Sequence, residues 1–202
     1  MQGQPYRLPE FNRYVKMSVA IAREEALYFR HLYIHPEHIL LGLIQAKGSI
    51  TESVLSAINV TAQRVRRVMT ENSDAFEKVS DELLARQELA IWKINLDDVL
   101  KVIDNVTAKE GKVAPMNYTP KISSTSQQLM SFATETILRR QDRHFSTEHV
   151  LLAMFSLQGR NHKVFIEKVG LSPVEVQGML EHNRGGTQEF KDINNAGSGE
   201  TK

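Results

Sequence analysis

Three groups of residues in this chain have the types and spacing to do chemistry. The first is a pair of Glu-His dipeptides, Glu37-His38 and Glu148-His149. The second is the set His31, His35 and His38, since two imidazoles four apart on one helical face can hold a metal ion. Pro36 falls inside that set and interrupts any helix running through it. His38 also has a counterpart in His149 while His31 and His35 match no histidine, so the pair is read as structural and no metal site is assigned. The third is Arg64, Arg66 and Arg67, a basic helix face expected to be solvated, with anion or partner binding as its second use. Catalytic machinery is harder to find. The string Gly42 to Ser49 puts Lys47 ahead of Gly48, the wrong order for a phosphate loop, and no G-x-S-x-G elbow presents a nucleophile. Without cysteine there is no thiol nucleophile, disulfide or thiolate zinc site. The expectation is a protein that is not an enzyme and uses no cofactor.

The elements that position these residues repeat. Residues 36–69 lie over 147–180 without a gap: Glu37-His38 on Glu148-His149, Leu40-Leu41 on Leu151-Leu152, Gly48 on Gly159, Val65 on Val176. Carried backwards, the same offset pairs Phe11 with Ile122, Ala22 with Ala133, Glu24 with Glu135 and Ile34 with Phe145. Apolar residues recur every three or four positions, the mark of amphipathic helices. The spacing predicts helices over 12–30, 36–46, 50–58 and 62–71, with Thr61 capping the fourth and Ser172-Pro173 repeating that signal in the second copy. Pro36 suits the first turn of the second helix, and Glu37 beside it favours the positive end of the helix dipole. The bland reading of Glu37 and Glu148 is that of first-turn residues satisfying backbone N–H groups.

The fold class is therefore all-α: two tandem four-helix repeats, at 11–71 and 118–182, related by pseudo-twofold symmetry. Between them, 72–117 has no counterpart and reads as a helical insertion with stripes over about 75–92 and 96–108, packed on the repeats or offering a docking surface. The segment 183–202, rich in Gly, Asn and charge, reads as a disordered tail or linker. With 25 Lys and Arg against 24 Asp and Glu, no global field draws in nucleic acid or an anionic membrane. A bilayer span needs about 20 apolar residues and a secreted chain an apolar leader; neither pattern is present, so a cytoplasmic protein is expected.

The paired blocks resemble the N-terminal repeat domain (Clp N, or Clp R) of Clp-family AAA+ unfoldases, whose pattern is Phe-Thr, an alanine-rich helix, then Gly-Thr-Glu-His before a Leu-rich helix. Here the matches are Phe11-Asn12, AIAREEA at 20–26 and HPEHILLGL at 35–43, then Ile122-Ser123 and STEHVLLAM at 146–154. His35-Pro36 stands where the pattern has Gly-Thr. The resemblance implies a non-catalytic module that recognises substrates or adaptors for the Clp chaperone and protease system, its partners being a Clp-family unfoldase and adaptor or client proteins. The alternative is a stand-alone regulatory or decoy protein that binds without delivering. Some relatives recognise phosphoarginine by setting the Glu-His glutamate against the guanidinium, with hydroxyl and backbone donors around the phosphate. This implies binding residues Glu37, Glu148, Asn12 and Ser123, with Asn12 beside Glu37 and Ser123 beside Glu148, and a larger effect on binding from Glu148.

Overall fold

The computed structural model describes residues 10–72, 119–140, 142, 144–183 and 189. The expected inserted helices between the repeats, and all of the expected tail beyond Asn183 except Glu189, lie outside the described residues. The elements are α1 (Arg13–Tyr28), β1 (Tyr33–Ile34), α2 (Pro36–Gln45), α3 (Ile50–Ala57), α4 (Ala62–Glu71), β2 (Lys121–Ile122), α5 (Ser124–Arg140), α6 (Thr147–Met154), α7 (Arg160–Val169) and α8 (Pro173–Asn183). The fold is all-α, as expected, with the same four-helix order in each repeat. No described helix is long and apolar enough to cross a membrane.

Local chemistry sets the helix ends. The Asn12 side chain accepts from the N–H groups of Tyr14 and Val15, Ser49 from Glu52, Thr61 from Arg64 and Ser123 from Ser126, each relieving first-turn donors that a helix cannot pair internally. α3 and α7 end alike. Asn59 (φ 59°) and Gly170 (φ 83°), equivalent under the repeat, turn left-handed, and the next residue donates back: Val60 to the Leu55 carbonyl at 2.8 Å, Leu171 to that of Ile166 at 3.0 Å.

Short stretches of extended chain pair beside the helices at two places. β1 pairs in parallel with β2, Ile34 opposite Ile122, and Phe11 bridges Phe145. The Asn12 N–H donates to the Phe145 carbonyl and the Ser123 N–H to the Ile34 carbonyl, both at 3.1 Å. These are one contact seen twice across the pseudo-twofold axis. Chain entering a helix carries backbone polar groups that the helix cannot satisfy, and each repeat satisfies those of the other.

The core is continuous through both halves. α2 and α6 are its centre, with Leu40, Leu41, Leu43 and Leu151 fully buried, and α2 is buried almost all round, as a central helix must be. The other helices pack around them, α8 on α3 and α4 on α7 across the repeat boundary. Gly42 lets α1 and α2 touch: a Cβ there would lie 2.0 Å from the Ser18 carbonyl oxygen. The repeat puts Ala153 in the same place.

The basic face of α4 is corrected from solvated to largely structural. Arg66 forms a two-pronged ion pair with the buried Glu25, which also accepts from Gln45 at 2.7 Å. Arg64 donates to the Lys168 carbonyl of α7 at 3.2 Å, and only Arg67 stays a surface partner, of Glu71. Burial works to raise the Glu25 pKa, but the hydrogen bonds from Arg66 and Gln45 and the charge of Arg66 together outweigh it and hold the carboxyl below its ordinary value.

Candidate functional site

The two Glu-His dipeptides sit at the starts of α2 and α6, and their histidines hold those starts in place. His38 Nδ1 accepts from the His35 N–H at 2.9 Å, leaving Nε2 to face His31 Nδ1 at 2.9 Å. His149 Nδ1 accepts from the Ser146 N–H at 3.1 Å, and Nε2 faces Asp142 at 2.8 Å. Under the repeat, His31 corresponds to Asp142 and His35 to Ser146, so the same ring orientation is kept with a different partner. Asp142, Glu148 and His149 each bring one ligand atom within 4.8 Å of the others, but both nitrogens of His149 are already engaged within the protein. Burial, then the charges of His31 and His35, push the His38 pKa down to about 3.

The structure corrects how the four expected binding residues are grouped. Asn12 lies beside the start of α6, through its bond to Phe145, and so belongs with Glu148. Ser123 lies beside the start of α2, through its bond to Ile34, and so belongs with Glu37. Both are helix caps, and the Ser123 hydroxyl is engaged with Ser126 at 3.1 Å. The exchange of segments across the twofold axis causes the regrouping, and it removes the reason for expecting Glu148 to matter more.

Two equivalent sites result, each at a junction of the repeats. At the first, the starts of α1, α3 and α6 converge on one carboxylate, that of Glu189. Asn12 Nδ2 (2.6 Å) and the Thr147 N–H (2.9 Å) donate to Oε1, and the Ile50 N–H (2.8 Å) and Thr147 hydroxyl (2.6 Å) to Oε2. The Glu189 N–H donates in turn to the Gly48 carbonyl at 3.0 Å. Glu189 is 1% exposed, which corrects the reading of this position as part of a disordered tail.

At the second site the equivalents of Asn12, Thr147 and Ile50 are Ser123, Pro36 and Asn161. Proline has neither the N–H nor the hydroxyl that Thr147 uses. A cleft of about 670 Å³ opens here, walled by His35, Glu37, Arg160, Asn161, His162 and Phe165 among others. His162 is buried and held by its Nε2 on the Met154 carbonyl at 2.9 Å, while Nδ1, without a hydrogen-bond partner among the described residues, stands 3.6 Å from Glu37 Oε1. Thr51 is its counterpart, bonded to the equivalent Leu43 carbonyl at 3.3 Å. Glu148 has Arg140 at 3.8 Å, whereas Phe29 takes Arg140's place in the first repeat. Sequence reasoning missed His162 and Glu189. The first was findable, as the residue opposite Thr51 in the repeat; the second has no local signal.

Known proteins of the same type can now be set beside these observations. The family model described as the Clp repeat (R) N-terminal domain matches residues 10–89 and again 81–167. A chaperone protein ClpB of Vibrio vulnificus (strain YJ016) is 26% identical over 188 residues, which cover 93% of this chain and 18% of the relative. The chain thus spans a small part of that relative's length. The N-terminal domain of the caseinolytic protease associated chaperone ClpD from Arabidopsis thaliana superposes with a TM-score of 0.51 at 12% identity, covering 86% of this chain and 96% of that one. A structure from preliminary investigations of a malarial protein secretion system gives 0.51 at 14% identity, covering 86% and 93%. At such identities the two structures share the fold.

Proposed function

Since this chain belongs to the Clp repeat (R) N-terminal domain family, we propose that it is a non-catalytic recognition module of the Clp chaperone system whose Glu37 cleft receives a basic side chain of a client or adaptor protein. The single observation that carries this reading is the different fate of the two equivalent glutamates. Glu148 has the guanidinium of Arg140 beside it; Glu37, with Phe29 in that place and the His162 imidazole at 3.6 Å, lines a cleft large enough for a side chain. A guanidinium pairs with a carboxylate through charge-assisted, often bidentate hydrogen bonds. Arg160 and Asn161 at the start of α7, on the same cleft, suit a phosphoryl group carried by that guanidinium, so phosphoarginine is the finer form of the proposal. An unfoldase that takes over the bound client completes the role.

The test is a titration of arginine and of phosphoarginine against the wild type, Glu37→Ala and Glu148→Ala, with a melting curve for each. A hydrogen bond to a charged group contributes about 1.5–3 kcal/mol, so Glu37→Ala should weaken binding roughly ten- to a hundredfold while Glu148→Ala changes it little. Unchanged affinity with a lowered melting temperature in Glu37→Ala would reduce this glutamate to a helix-start residue.

A further inference from the structure

We propose that His162 is a proton-operated switch on Glu37, so that the cleft takes a basic side chain while His162 is neutral and refuses it once His162 is charged. This rests on the cleft receiving a cation, and adds how that receipt is controlled. The contacts fix the tautomer. A carbonyl oxygen only accepts, so the bond from His162 Nε2 to the Met154 carbonyl at 2.9 Å keeps the hydrogen of the neutral ring on Nε2 and leaves Nδ1 a bare acceptor. Glu37 Oε1, 3.6 Å away, is an acceptor too when ionised. Two acceptors therefore face each other, and His162 is only 7% exposed, its Nδ1 without a hydrogen-bond partner among the described residues. A buried polar atom left in that condition is costly, and a proton on Nδ1 turns the contact into a charge-assisted hydrogen bond. The imidazolium then engages the carboxylate that a client's cation would use, so His162 acts on the client only through Glu37.

The other charges around the cleft are placed differently. Glu71 on α4 pairs with Arg67, Arg160 belongs to α7 itself, and His35 stands ahead of α2; among the described residues only Glu37 comes within ion-pairing distance of His162. The twofold-related site has no such device. Thr51 takes the place of His162 there, its hydroxyl bonding the equivalent carbonyl without titrating, and the cation beside Glu148 is Arg140, which keeps its charge at any working pH. One glutamate of the pair has a permanent counter-ion and the other a conditional one. Histidine is the side chain whose charge ordinarily changes between about pH 5 and 8, which makes the condition a physiological one.

The experiment titrates free arginine, whose guanidinium stays charged throughout, into the full chain at pH 7.5 and 5.5, for the wild type and for His162→Thr, the residue the repeat sets in that place. Wild-type affinity should fall roughly fivefold or more at pH 5.5, with about tenfold per pH unit as the ceiling for one competing proton. His162→Thr keeps His35, Glu71 and Arg160, so any fall they cause remains visible in it; its affinity should be the same at both pH values. A second readout needs no ligand: in nuclear magnetic resonance the Glu37 carboxyl carbon signal should move together with the His162 ring signals over this range, and stay still in His162→Thr. Arginine bound equally by the wild type at both pH values, or lost as steeply from His162→Thr, overturns the switch and leaves the cleft's role standing. No arginine binding at either pH overturns the role and the switch with it. Should threonine cost the fold, His162→Asn, which keeps an N–H for the Met154 carbonyl, takes its place. Where neither folds, the wild-type Glu37 signal decides: movement with the His162 ring supports the switch, and a signal that stands still overturns it.

Discussion

The two repeats are built on one plan and differ where they bury polar groups, and the differences show which features the plan requires. Both keep a histidine at the start of the second helix with its Nδ1 turned to the backbone. Only the first places Gly42 at the α1–α2 crossing and a carboxylate–guanidinium pair beside it; the second has Ala153, Thr136 and Gln177 at the positions of Gly42, Glu25 and Arg66. At this crossing the first repeat therefore rests on close helix approach and charge, whereas the second keeps its polar contacts, Arg140 with Glu148 and Asp142 with His149, at the start of α6.

The sharpest way to break this contrast is at the crossing. Gly42→Ala drives a methyl group to 2.0 Å from the Ser18 carbonyl, and since backbone cannot step aside cheaply the loss should be about 3 kcal/mol or more. Ala153→Gly, its mirror, should cost only about 1 kcal/mol, as glycine does in a helix interior. Urea denaturation of both variants measures the difference, and equal losses would mean the two crossings are alike.

Next comes the ion pair. Arg66→Ala strands the buried Glu25 carboxylate, but Arg66 is 40% exposed and water screens part of the loss, so about 1–3 kcal/mol is expected. Gln177→Ala, at the equivalent place on α8, should stay within about 0.5 kcal/mol. A large effect at Gln177 would mean that the second repeat has a polar anchor at this position too.

The third test concerns pH. His38 has a folded pKa near 3, below the unfolded value of 6.5, so the unfolded state takes up the proton first. Its contribution is intact above pH 6.5 and is lost as pH falls from 6.5 toward 3, on the order of 1 kcal/mol per unit at most. Glu25, whose pKa is also lowered, adds its own loss in acid, below its ordinary value of 4.5. His31→Asp gives the first repeat the partner that Asp142 provides in the second. A carboxylate there favours the imidazolium, so the slope of melting temperature between pH 6.5 and 5 should flatten; an unchanged slope would show that burial alone sets the His38 pKa.

Much of this was legible in the sequence, because helices and their caps are local. Thr61, Ser172-Pro173 and Gly48 mark boundaries within a residue or two of those observed, and the equivalence of Glu37 with Glu148 needed only the repeat. What escaped depended on which half sits against which. Sequence order puts Asn12 with Glu37 in one repeat, whereas the twofold exchange sets it beside Thr147. The match of His31 with Asp142 joins unlike residues and so carries no signal in the sequence, yet the two face the paired histidine in the same way. Glu189 sits in a polar, glycine-rich stretch, and among the described residues its side-chain partners are far away in sequence, Thr147 by 42 residues.

The reciprocal bonds from Asn12 to Phe145 and from Ser123 to Ile34 bear on what half of this molecule would do alone. Cut between the repeats, each fragment would lose its half of both bonds, and of the further bond from the Lys121 N–H to the Leu32 carbonyl, along with half of a shared core. The same surface that meets the other half is nearly self-complementary, the requirement for an isologous dimer. A lone repeat would thus be expected to seek a second copy of itself, so that the intact chain amounts to a tethered dimer, free since the joining to let its two halves diverge.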